Sequence, residues 1–134
     1  MPILWKPLNS IRKSNFLLWG ITLFGITLRL RQYIANRSLW HDEANLALNI
    51  VNRTFAELLQ PLDYDQGAPI GFLLITKTFT LLFGNEDYIL RLTPILSGLI
   101  ATYLAYRLAK EYLGAGGTLF LLLFAISWSL VYYS

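Results

Sequence analysis

Long apolar runs separated by short polar stretches set the first expectations for this chain. Phe16 to Leu28 is almost unbroken in its apolarity and extends to about Ile34. Counting Asn15 to Ile34 gives about 20 residues, the length an α-helix needs to cross a hydrocarbon core. Thr22 and Thr27, inside this run, can bond back to their own helix. Arg29 and Arg31 lie near its far end, where they either snorkel to the headgroups or face a protein interior. A second span is expected over Ile89 to Ala109, entered through Asp87-Tyr88 and closed by Arg107, Lys110 and Glu111. Pro94 falls in its first turns, where proline costs least. After a turn at Gly114 to Gly117, a third apolar run covers Thr118 to Tyr133.

The stretch between the first two spans is different. Ala35 to Ala68 is polar and acidic. Asp42 to Arg53 reads as an amphipathic helix, with Asp42, Asn45, Asn49, Asn52 and Arg53 on one face and Ala44, Ala47, Leu48 and Val51 on the other. Thr54-Phe55-Ala56-Glu57 fits a capping box at the start of a second short helix, which Gln60-Pro61 stops. Asp63 to Ala68 is a loop, with Gly67 as its flexible point. Pro69 to Phe83 is apolar but short, and Thr76, Lys77 and Thr80 form a polar stripe along it. A segment of about 15 residues with a central lysine spans a bilayer poorly, so a helix at or dipping into the outer interface is expected. Gly84-Asn85 ends it.

Composition agrees with a membrane protein. Hydrophobic residues make up 55% of the 134 positions and charged residues 14%, against about 25% charged in soluble domains. The net charge is +3 and its bases are dispersed among apolar runs, which excludes a nucleic-acid partner. There are no cysteines and one histidine, which exclude thiolate and multi-histidine zinc sites. Lys6, Arg12 and Lys13 precede the first run, and no small-x-small cleavage site follows it, so it reads as an uncleaved anchor. The positive-inside rule then places the N-terminus in the cytoplasm, with Arg107 and Lys110 on the same side. Seven acids and four bases between Ala35 and Arg91 lie outside. A four-span alternative requires Lys77 to cross lipid and moves Arg107 and Lys110 outside. The expected fold class is therefore all-α, a polytopic set of about three spans with amphipathic juxtamembrane helices in a first outer loop over residues 35–91. The length leaves room for a single domain, residues 1–134.

Candidate chemistry gathers in that outer loop. Trp40-His41-Asp42-Glu43-Ala44 places an imidazole and two carboxylates at a helix start, where negative charge is favoured. Adjacent acids diverge by about 100° around a helix, so they cannot both point at one atom. One can serve as base or metal ligand while the other supports it; the plain alternative is ordinary helix-start chemistry. Tyr64-Asp65-Gln66 offers donors and acceptors for a sugar or headgroup, or is simply a polar turn. Lys77 either neutralises a lipid phosphate or snorkels. Arg91 either does the same as Lys77 or bonds to Glu86 or Asp87.

Several pieces occur in a telling order: Leu39-Trp40-His41-Asp42-Glu43-Ala44, Ala68-Pro69-Ile70-Gly71-Phe72-Leu73-Leu74, Leu82-Phe83-Gly84-Asn85-Glu86, and Leu90-Arg91-Leu92-Thr93-Pro94 opening the next span. With this spacing the chain resembles, from about Leu28 onward, the N-terminal part of a bacterial membrane glycosyltransferase of the GT-C fold. The group it resembles includes protein mannosyltransferases and the aminoarabinose transferases of lipid A, of the glycosyltransferase family 39 or 83 type. The resemblance implies sugar transfer from a polyprenyl-phosphate donor to an acceptor outside the cytoplasmic face. It implies a catalytic role for Asp42, as base or acceptor-positioning carboxylate, with Glu43 as its supporting acid. His41, Tyr64, Gln66, Lys77 and Arg91 become candidates for substrate binding, the two cations on the side where a lipid phosphate would leave. The bacterial plasma membrane is the implied location.

Two departures qualify what the resemblance implies. Many relatives carry Lys or His just before the proline of the second motif, where Gly67-Ala68 precede Pro69 here. Relatives are also several times longer, so the chain is expected to be an incomplete module, inactive alone, or half of a split enzyme joined by a C-terminal half. The rival class is a small non-enzymatic membrane protein acting through a partner membrane protein. Membrane lipid and a lipid-linked sugar donor are the implied small partners. No cofactor is required by the residues; a divalent cation such as Mg²⁺ or Mn²⁺ remains open, because two carboxylates do not define a site.

Overall fold

A computed structural model describes residues 8–132. Lys6 of the expected cytoplasmic anchor and the closing Tyr133-Ser134 lie outside the described residues. Among the described residues the chain is all-helical, with no strand. The helices are α1 (Leu8–Ala35), α2 (His41–Asn52), α3 (Ile70–Phe83), α4 (Asp87–Leu90), α5 (Leu92–Glu111), α6 (Gly117–Ile126) and α7 (Trp128–Tyr132). Single 3₁₀ turns lie at Glu57–Leu59, Asp63–Asp65 and Gly114–Gly116.

Local chemistry explains the boundaries. α1 ends at Asn36, whose φ of 38° is a left-handed conformation that asparagine tolerates. α3 ends at Gly84 with φ of 100°, a conformation open to glycine and strained for any other residue. Pro94 has no N–H to give to the carbonyl of Leu90, and the chain turns at Arg91 between α4 and α5. The Thr54–Glu57 box forms as expected: the Glu57 carboxylate accepts from the Thr54 N–H at 2.7 Å and from its hydroxyl at 2.8 Å. The helix it opens is only the turn Glu57–Leu59, followed by Gln60 in extended conformation. The third apolar run is not one helix but two, broken at Ser127 with ψ of 113°.

Among the described residues one stretch, Asp87–Glu111, formed by α4 and α5 across the turn at Arg91, is long and apolar enough to cross a membrane. α1 has the length at 28 residues, but Arg29, Arg31 and Gln32 interrupt its apolarity. α3 is 14 residues, about 21 Å at 1.5 Å per residue, short of a hydrocarbon core of about 30 Å.

The chain divides into two compact units, one of residues 1–32 with 97–134 and one of residues 33–96. The first unit is cored by Leu18, Ala105, Tyr106, Ala109 and Leu121. The Trp19 and Tyr106 rings pack at a tilt of 39° with centroids 4.7 Å apart. Small residues let its backbones approach closely, as membrane helix pairs commonly do. A Cβ on Gly25 would stand 3.1 Å from that of Ala125, and one on Gly117 would overlap the Ala109 carbonyl. Arg29 faces this interior: it is 1% exposed, donates to the Gly25 carbonyl at 3.0 Å and lies 5.4 Å from the centre of the Phe124 ring. Arg31 stays exposed. Thr22 and Thr27 donate to carbonyls one turn back, at 2.7 and 2.8 Å.

The second unit packs Ile50 of α2 and Leu73 of α3 around Leu58. α3 is turned inside out relative to a water-facing helix: Thr76, Lys77 and Thr80 are buried while Ile75, Leu81, Leu82 and Phe83 are exposed. Inside, the Thr76 and Thr93 hydroxyls lie 2.8 Å apart, joining α3 to α5. Tyr33 donates to the Tyr88 carbonyl at 3.1 Å, and their rings meet edge to face.

Candidate functional site

All seven candidate residues fall in the second unit, where their geometry is defined by α2 and what holds its two ends. The chain reaches α2 extended through Trp40, and His41, Asp42 and Glu43 form its first turn. Glu43 folds back, its Oε2 accepting the Trp40 N–H at 3.2 Å. That same oxygen lies 3.7 Å from Nη2 of Arg91. Arg91 Nη2 also donates to the Arg37 carbonyl at 2.7 Å. Arg91 thus ties the segment before α2 to its first turn. Its acidic partner is Glu43 and not Glu86 or Asp87, because the turn between α4 and α5 directs the guanidinium back toward α2. Asp42 is left otherwise: it is exposed, and its carboxylate makes no hydrogen bond or ion pair among the described residues. His41 is likewise exposed. The two neighbouring acids have separated into one engaged and one free carboxylate, as their angular divergence requires.

The far end of α2 is held by residues whose part the amphipathic pattern does not reveal. The pattern puts Asn49 on the polar face, yet it is 2% exposed, and with Ile50 it defines the inward face of α2; Leu48 is exposed instead. Burial is possible because its carboxamide is fully paired. Nδ2 donates to the Asn45 carbonyl at 2.9 Å and the Asp63 carbonyl at 3.2 Å, and Oδ1 accepts the Asp63 N–H at 2.9 Å. Arg53 grips the Asp63 carboxylate with Nε at 3.2 Å and Nη2 at 2.8 Å. Its Nη1 donates to the carbonyls of Pro61 at 2.8 Å and Glu57 at 3.1 Å. Beside it, Thr54 holds the Glu57 carboxyl below its ordinary pKa, chiefly through the backbone N–H and then the hydroxyl.

Beyond Asp63 the backbone turns left-handed at two successive residues that are not glycine, Tyr64 with φ of 62° and Asp65 with φ of 52°. Such conformations cost about 1–3 kcal/mol each and persist where the surroundings over-determine them. Gln66 Nε2 closes the turn on the Tyr64 carbonyl at 3.1 Å. The Tyr64 side chain is exposed, and so is Asp65.

Lys77 is 8% exposed. Its Nζ donates to the Val51 carbonyl at 2.9 Å, in the last turn of α2. A cation there complements the negative end of the helix dipole. The ammonium therefore points into the unit, which satisfies it without snorkelling and removes the cost of a lysine facing lipid. Among the described residues no group of three or more His, Cys, Asp or Glu assembles that could hold a metal ion.

The comparisons with known proteins bear on the second half of the chain. The family model for dolichyl-phosphate-mannose-protein mannosyltransferase matches residues 67–134. The chain belongs to that family. The match takes in α3 through α7, hence Lys77 and Arg91, and stops short of α2 and the turn at Tyr64. No curated protein and no solved structure matches. Membership places the chain among membrane-associated glycosyltransferases, in keeping with the apolar helix Asp87–Glu111.

Proposed function

We propose that this chain is the N-terminal module of a bacterial GT-C glycosyltransferase that moves a sugar from a polyprenyl-phosphate donor to an acceptor on the outer side of the plasma membrane. The observation that carries the reading is the division of labour at the start of α2, in a chain of the mannosyltransferase family: Glu43 is committed to Trp40 and Arg91, and Asp42 is free. Asp42 takes the proton of the acceptor hydroxyl as its oxygen bonds to the anomeric carbon. The bond from that carbon to the lipid phosphate breaks, and the phosphate leaves with the electron pair. Arg91 spends Nη2 on Glu43 and Arg37 and offers the rest of its fork to the departing phosphate. His41 flanks the acceptor, and Tyr64 and Gln66 contact sugar. Lys77 supports the end of α2 and acts on substrate only through it.

The chain crosses the membrane about three times, with the N-terminus in the cytoplasm, residues 35–91 outside and α3 dipping into the outer leaflet. It works with membrane lipid, the lipid-linked donor and a C-terminal half or partner membrane protein, and by itself is inactive. The test is Asp42→Asn in the protein as it occurs in its native membranes. Sugar transfer should be abolished while membrane insertion and amount are unchanged; transfer at the wild-type rate would refute the assignment.

A further inference from the structure

Resting on the glycosyltransferase reading above, we propose that the turn Tyr64-Asp65-Gln66 is a preformed sugar-recognition element, held in place by Asn49 and Arg53 as positioning residues. The starting point is a conflict between sequence and backbone. Two successive left-handed positions suit glycine, asparagine or aspartate, yet a tyrosine stands at the first and precedes Asp65 at the second. Neither side chain is compensated from within: among the described residues the Tyr64 ring and hydroxyl and the Asp65 carboxylate make no hydrogen bond, ion pair or ring contact, and Tyr64 is 63% exposed. The turn does not relax, because the residue before it is locked. Asn49 binds both backbone groups of Asp63, and Arg53 binds its carboxylate in a fork while holding the carbonyls of Glu57 and Pro61.

What the latch presents outward has a definite chemistry. An open aromatic face receives the C–H face of a pyranose, and a carboxylate beside it accepts hydroxyl hydrogens in charge-assisted bonds. Gln66 keeps its carbonyl available because its amide nitrogen is engaged with Tyr64. Fixing these groups in advance removes the ordering cost that a mobile loop would lose on binding. Phosphate is disfavoured at this turn, since Asp65 repels it and Arg53, the cation that holds the adjacent Asp63, is committed to that carboxylate.

The test uses the full chain in mild detergent, titrated with a panel of methyl hexosides and pentosides and followed by saturation-transfer NMR. Asp65→Asn and Tyr64→Asn both suit the left-handed backbone, so neither should lower thermal stability, and Tyr64→Asn should raise it by relieving strain. Each should weaken binding of the sugar that the wild type prefers by about tenfold, the effect of losing one charged hydrogen bond or one ring face. Asn49→Ala should weaken it too, and that loss should vanish in the Tyr64→Asn background, a coupling that a merely structural role would not produce. If no sugar in the panel binds, or if both turn variants bind like wild type, the proposal is overturned. Separate readouts keep the two ideas apart. Transfer lost in Asp42→Asn with binding unmoved by the turn variants sinks this inference, together with the sugar contact given to Tyr64, and leaves the catalytic assignment standing. Binding that depends on Tyr64 and Asp65, with transfer intact in Asp42→Asn, sinks only the catalytic assignment.

Discussion

Replacing Glu43 with Gln probes the arrangement on which the Asp42 assignment depends. Gln keeps an oxygen for the Trp40 N–H and removes the charge that faces Arg91 at 3.7 Å. Unit charges at about 4 Å attract by about 4 kcal/mol at an effective dielectric of about 20. With the Glu43 side chain 35% exposed and that of Arg91 16%, water screening reduces the expected net loss to about 1 kcal/mol. Glu43→Ala loses the cap as well, adding about 1 kcal/mol. Reversible denaturant unfolding in mild detergent, followed by far-UV circular dichroism, should rank wild type above Gln and Gln above Ala. Arg91→Met should make Glu43→Gln nearly silent, and high salt should shrink the Gln penalty. If Glu43→Gln costs nothing, or costs the same with and without Arg91, the pair does not anchor α2 and the distinction between the two acids loses its basis.

Other substitutions test the packing. Gly117→Ala must push backbone apart at Ala109, where the carbonyl carbon would lie 2.9 Å from the new Cβ, so thermal unfolding should show a loss of about 1–3 kcal/mol. Gly20→Ala meets nothing within 4 Å and should stabilise α1 by about 0.5–1 kcal/mol in the same measurement. Thr76→Val strips Thr93 of its buried partner and should cost about 1–2 kcal/mol, whereas Thr76→Val with Thr93→Val together should be close to neutral by denaturant titration. Because the Thr54 donors depress the folded-state pKa of Glu57, its contribution is present above the unfolded-state pKa and lost as pH falls through the folded one. The stability gap between wild type and Glu57→Gln should therefore close on acidification, as unfolding measured across that pH range would show.

Much of the architecture is legible in the sequence because it depends on near neighbours. The helices over Phe16 to Ile34, Asp42 to Arg53, Pro69 to Phe83 and Ile89 to Ala109 follow from apolar runs and periodicity. The Thr54–Glu57 box and the stop at Gly84 follow from residue types at fixed spacing. The break at Ser127 was not legible, since Thr118 to Tyr133 carries no proline and no glycine after Gly117 to announce it. The Asp-Glu pair could be placed at a helix start, and their divergence followed from helical geometry alone.

Which groups meet across the chain was another matter. Arg91 lies 48 positions from Glu43, and Asp63 lies 14 from Asn49; no periodicity links such pairs, and the shape of the turns decides whether they touch. The same holds for Lys77. Its place on a short apolar helix suggested an outward cation, but the carbonyl of Val51, 26 positions earlier, draws it inside. Asn49 looked like one more polar residue on a wet face until Asp63 supplied both of its complements. The amino-acid sequence by itself determined most of the helices, several of their ends and the kinds of groups in residues 35–91, because these are set by interactions a few residues long. Only the tertiary structure decided which cations were already spent, which carboxylate stayed free and which turn was held under strain, because a buried polar group takes whatever partner the fold brings within hydrogen-bond reach.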